Sequence, residues 1–142
     1  MLPNPGALDP ELVAETRGWM IKAAHDLRAA ETLAATSPPL NDEAVFHSQQ
    51  AAEKAIKAFL VWNGQTFRKT HNLEETGEQS LAIDPSLRET IDRAVPLSEY
   101  AWRFRYPGVL IEPDSTETAD ALAAAREVVA AIASRLPPEV TA

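Results

Sequence analysis

The chain has no cysteine, which excludes disulfides and thiolate metal sites. It has only five glycines and no two are adjacent, so no glycine-rich phosphate loop is encoded. No apolar run reaches the roughly 18 residues that a membrane span requires, because charges such as Lys57 and Arg126 interrupt the best candidates. The opening MLPNPGALDPEL lacks a basic cluster and an apolar stretch, so no export signal is expected there. A soluble, cytoplasmic protein is the resulting expectation, and the missing cysteine suits a reducing compartment. Cationic surplus is lacking too: a net charge of −8 argues against general nucleic-acid coating, which needs an excess of Lys and Arg. The three histidines show no HxxxH or carboxylate–histidine spacing, and no serine stands in a nucleophile-elbow context. Neither a metal nor a cofactor is expected.

What is present is helical periodicity. The 142 residues suit one domain, with residues 1–8 as a mobile leader punctuated by Asn4-Pro5-Gly6 and 137–142 as a tail. Asp9 reads as an N-cap ahead of Pro10. Leu12, Trp19, Met20, Ala23, Leu27, Ala30 and Leu33 then form one apolar stripe, until Thr36-Ser37-Pro38-Pro39 ends the helix. Asn41 or Asp42 is expected to cap a second helix, which Asn63-Gly64 closes. Its apolar face is Val45, Phe46, Ala52, Ile56, Phe59 and Leu60. Ala51, Ala55 and Ala58 form a small-residue stripe suited to a close helix, from the bundle or from a second copy of the chain. Thr70 reads as the cap of a short helix beginning near Asn72. Asp84-Pro85 starts another helix, with a kink or break expected at Pro96. The run Tyr100–Tyr106 alternates with period two but lacks a strand to pair with, so it too reads as helix. A last helix runs from Ser115 or Thr116 to Leu136 and presents Ala119, Leu122, Val129, Ile132 and Ala133. The sum is an all-α, up-and-down bundle of four long helices plus a short fifth.

Charge is unevenly spread along these elements. Residues 54–73 hold Lys54, Lys57, Arg68 and Lys69 and no acid, and Arg103 and Arg105 stand in a second acid-free stretch. Such a face suits a phosphate-bearing ligand, or else is a solvated surface laced by pairs such as Glu53–Lys57. His47, Gln50 and Lys54 share a helix face, as ligand contacts or as a polar seam against a neighbouring helix. His71 either braces its loop or touches a ligand. Arg103, Arg105 and Tyr106 either grip a phosphate with a base stacked on a ring or pair internally with Glu53 or Asp26. His25 reads as surface, while Asp26 is placed to pair with a basic residue across the bundle.

Four ordered segments resemble the HEPN family of helical-bundle domains. They are Trp19 with KAAHDLRAAETL, FHSQQAAEKAIKAFLVWNG, Thr70-His71-Asn72-Leu73, and Arg105-Tyr106-Pro107-Gly108. The resemblance implies a four- or five-helix bundle that commonly forms homodimers. It also implies a small nucleotidyltransferase-like partner, often within a toxin–antitoxin module. Many members are metal-independent ribonucleases using R-x(4–6)-H, and others are proposed to bind nucleotides without cleaving RNA. In the ribonuclease motif, histidine moves a proton and arginine steadies the phosphate.

The motif is missing here. The positions that would hold its arginine are Gly18–Met20 before His25, Leu40–Asp42 before His47 and Gly64–Thr66 before His71, and no histidine follows Arg103 or Arg105. A non-catalytic HEPN-type homodimer is therefore expected, with a nucleotidyltransferase-like partner and nucleotide or RNA as the candidate ligand. A ribonuclease toxin with an atypical site and an interaction module without a ligand are the alternatives. The candidate ligand-binding residues are His47, Gln50, Lys54, Lys57, Lys69, His71, Arg103, Arg105 and Tyr106, with no catalytic residue assigned.

Overall fold

The computed structural model describes residues 8–107 and 111–141. The leader's Asn4-Pro5-Gly6 and the Gly108 of Arg105–Gly108 lie outside the described residues. Among the described residues every regular element is helical: α1 (Pro10–Ala34), α2 (Asn41–Trp62), α3 (Leu73–Ile83), α4 (Arg88–Ala94), α5 (Ser115–Ala133) and α6 (Pro138–Thr141). Short 3₁₀ turns cover Pro85–Leu87 and Val95–Ala101 on either side of α4. The all-α bundle is as expected.

Local chemistry sets the ends of α1 and α2. The Asp9 carboxylate accepts from the Glu11 amide, 2.9 Å away, and so satisfies one of the open donors at the start of α1. Gly64 closes α2 at φ +70°, a left-handed conformation that glycine adopts without a Cβ clash. Two caps differ from expectation. Helix α2 has Leu40 at its N-cap and no side-chain cap, and Asp42 instead accepts from the Glu43 amide. Asn72, rather than Thr70, caps α3 by accepting from the Glu74 amide, and Thr70 Oγ1 in turn accepts from the Asn72 amide. Asp114 caps α5.

Helix α2 is the spine. Val45, Ala52, Ile56, Phe59 and Leu60 all lie in the core, and burying one such large side chain stabilises by roughly 1.5–3 kcal/mol. The stripe Ala51, Ala55 and Ala58 is fully enclosed within the chain. It is spent on the bundle's own helices and offers no surface to a second copy.

The fourth long helix is broken into a 3₁₀ turn, one short α-helix and a second 3₁₀ turn. Pro96 has no amide to donate, and after Ala101 the aromatic run leaves helical geometry, so Trp102–Tyr106 is not helix. The last helix ends at Ala133, and Pro138 opens α6 rather than closing α5. On α5 the buried side is Ala121, Leu122, Ala125, Val128 and Ile132, with Ala119 turned to solvent. Gly77 lets α3 pass close to α4, since a Cβ there would stand 2.6 Å from Ile91 Cγ2. Among the described residues no helix is long and apolar enough to cross a membrane.

Candidate functional site

Two carboxylates organise the polar residues of α2. Asp26 comes from the inner face of α1 and Glu53 from α2 itself, and both are buried. Burying a carboxylate is costly unless charge and hydrogen bonds compensate it, so the neighbours of each are informative.

Asp26 meets two of the candidate residues. One carboxylate oxygen lies 2.8 Å from His47 Nδ1, and the other accepts from Lys54 Nζ. Internal pairing of Asp26 was expected with a basic residue across the bundle, and α2 supplies it. His25 is exposed, also as expected.

Glu53 meets three groups. Its Oε1 lies 2.7 Å from His71 Nδ1 and accepts from Gln49 Nε2 at 3.2 Å. Its Oε2 is 3.4 Å from Lys57 Nζ. The Lys57 ammonium also donates to the Thr70 carbonyl at 3.2 Å and lies between the Trp19 and Phe67 rings, 5.8 and 5.4 Å from their centroids. These contacts compensate a buried cation on several sides. Gln49 donates further to the His71 carbonyl and accepts from Gln50 Nε2. The row Gln49, Glu53 and Lys57, spaced by four, thus ties α2 to the loop that carries Thr70 and His71.

An ionised carboxylate only accepts, so each imidazole presents its Nδ1–H to the acid and keeps Nε2 for another partner. The His47 and His71 side chains are 31% and 65% exposed, and among the described residues only their Nδ1 atoms are hydrogen-bonded. On the same loop Arg68 is held bidentately by Glu75, which keeps the Glu75 carboxyl below its ordinary range. Lys69 is exposed and has no acidic partner among the described residues.

The remaining candidates lie apart from this seam. Arg103 pairs with Glu99 at 2.7 Å and lies over the Phe104 ring. Arg105 stacks over Phe46, 4.4 Å from the centroid, and donates to the Ala101 carbonyl. Neither arginine reaches Glu53 or Asp26, whose oxygens are already occupied, so the expected internal pairing is corrected to local partners. Tyr106 stands free in solvent. Beside Phe46, the Glu43 carboxyl is pushed above its ordinary range, chiefly by its hydrogen bond to Asp42 and then by burial. Tyr100 is also engaged: it donates to Glu117 at 2.6 Å, and burial together with that acid raises the phenol.

Sequence reasoning did not single out Gln49, Phe46, Glu99 or Phe67 as partners. The i,i+4 spacings Gln49–Glu53 and Glu99–Arg103 were available signals. The aromatic partners of Lys57 and Arg105 had none.

The HEPN family model matches residues 16–136, and the chain belongs to the HEPN family. Among curated proteins it is similar to one of Methanocaldococcus jannaschii named "Putative toxin MJ1304", with 33% identity over 92 residues. That match covers 61% of this chain and 59% of the relative, so the chain aligns with about three fifths of the relative's length. No solved structure matches the chain.

Proposed function

We propose that this HEPN protein is a non-catalytic partner. It acts in the cytoplasm as a homodimer together with a nucleotidyltransferase-like protein. The observation that carries this reading is where the histidines are held. His47 and His71 are each bound by Nδ1 to a buried carboxylate in a network that braces the bundle, and among the described residues no arginine is bonded to either pair. Arg105 stacks on Phe46, and the Phe46 ring in turn meets His47 edge-on at 5.2 Å. Phosphodiester cleavage of the R-x(4–6)-H kind needs both groups on one phosphate. A gel assay on structured and single-stranded RNA is expected to show no cleavage. Cleavage abolished by His47→Ala or His71→Ala overturns the reading. Light scattering after size exclusion is expected to give a dimer at micromolar concentration, and a strict monomer counts against that part.

A second reading has its own support. A histidine oriented by a carboxylate with Nε2 open is the arrangement of a general base, and the relative's name contains the word toxin. His71 is the more exposed of the two and has the uncommitted Lys69 nearby in the same loop. These two residues are the best contacts for the phosphate of a nucleotide or RNA. Thermal shift with ATP, GTP and a short RNA tests this directly, because a ligand at 100 times its dissociation constant adds about 2.7 kcal/mol. No shift with any of them supports an interaction module without a ligand.

A further inference from the structure

At the N-terminal end of α2 two connected clefts, of about 180 and 350 Å³, share Asp42, Phe104 and Arg105. Their apolar walls include Phe46, Tyr106 and Ile111, and the last two are 64% and 76% exposed. Large apolar side chains left open together mark an interaction surface. Three carboxylates rim the groove, those of Asp42, Glu43 and Glu112, and none has an ion-pair partner among the described residues. Arg105 is the only cation in the described walls, and it is committed to the Phe46 ring and the Ala101 carbonyl.

We propose that this aromatic groove docks an arginine side chain of a protein partner, its guanidinium facing Asp42 and Glu112 and its plane against Tyr106. This rests on the reading that the chain works bound to another protein, and it adds the chemistry of the contact. Charge complementarity selects the occupant. Three acids against one arginine leave the groove negative, which attracts a cation and repels a phosphate. Guanidinium fits better than ammonium, because it is planar, donates in a fork to carboxylates and stacks on rings. The Glu43 carboxyl is raised chiefly by its hydrogen bond to Asp42 and by burial, with smaller repulsion from Asp42 and Glu112, and an incoming cation relieves that repulsion.

The test is an NMR titration of the full chain with acetyl-arginine amide, acetyl-lysine amide and the neutral isostere acetyl-citrulline amide. Arginine is expected to shift Phe46, Tyr106 and Ile111, with half-saturation about fivefold below citrulline. Glu112→Gln and Tyr106→Ala, both on exposed sites, are expected to remove that preference. An equal response to citrulline, or shifts scattered away from the groove, overturns the proposal. So does guanosine monophosphate shifting the same residues more strongly than arginine, which assigns the groove to a nucleotide. Copurification with a co-expressed nucleotidyltransferase-like protein separates the two failures. A partner that binds while the arginine probe fails sinks only the groove assignment. An arginine response with no partner sinks only the function reading.

Discussion

In the seam between α1 and α2, Glu53 is 4% exposed and meets a histidine, a lysine and a glutamine. In the groove around Arg105, Asp42, Glu43 and Glu112 make no ion pair among the described residues, and the Tyr106 ring stands in solvent. Carboxylates stand at the centre of both places and do opposite work. In the seam every charge is answered within the chain, so the polar residues fix the position of a loop. In the groove charges and rings are left unanswered, so they are available to another molecule. The difference teaches that a polar signature in sequence does not by itself locate a binding site. The most recognisable residues of α2 are the ones most fully consumed by the fold.

Breaking the seam has the largest expected effect. Glu53→Ala leaves the buried Lys57 ammonium without its carboxylate and frees His71, and costs about 3–5 kcal/mol in urea unfolding. Replacing both members of the pair, Glu53→Leu with Lys57→Met, is expected to cost less than Glu53→Ala alone, because no lone charge stays buried. A double variant as unstable as the single one would show that the hydrogen bonds to Gln49 and His71, rather than the ion pair, hold the loop. Asp26→Asn is next, at about 1–3 kcal/mol, since His47 and Lys54 lose a charged acceptor but both reach solvent. Tyr106→Ala tests the other side of the comparison. Its ring touches mostly water, so a stability change within about 0.5 kcal/mol is expected. A larger loss would move Tyr106 from the binding surface to the core.

How much of this was legible in the sequence depends on the range of each interaction. Asp9-Pro10 and Asn63-Gly64 marked true helix ends because capping is local. The polar seam was readable as one of two options from the steps linking His47, Gln50 and Lys54. Its partners were harder to read: His47 and Asp26 are 21 residues apart, and His71 and Glu53 are 18 apart, so only the folded bundle joins them. The fourth helix was misread in extent because apolar spacing persists through residues 87–101 although Pro96 and the following 3₁₀ turn break it. The alanine stripe was ambiguous for a related reason. Spacing says that a helix comes close, and only topology says that it belongs to the same chain.

The smallest expected effect is on pH dependence, and it isolates the unanswered charge of the groove. The folded Glu43 carboxyl titrates above its ordinary value of 4.5, chiefly through its hydrogen bond with Asp42. A carboxyl raised in the folded state is most compatible with folding while protonated. Its contribution is present in full below the unfolded value and is lost as pH rises through the folded one. Glu43→Gln keeps an amide that can bond to Asp42 and removes the ionisation. The variant is therefore expected to melt up to about 2 °C above the parent at neutral pH and to match it at a pH below the unfolded value. Asp84, which Ser86 and Arg135 hold low, titrates with the opposite sign, so both profiles fall at acid pH and only their difference reports Glu43. A variant that melts below the parent at neutral pH and converges with it at acid pH would mean that Glu43 is already answered by a cation, and the groove would then be no less satisfied than the seam.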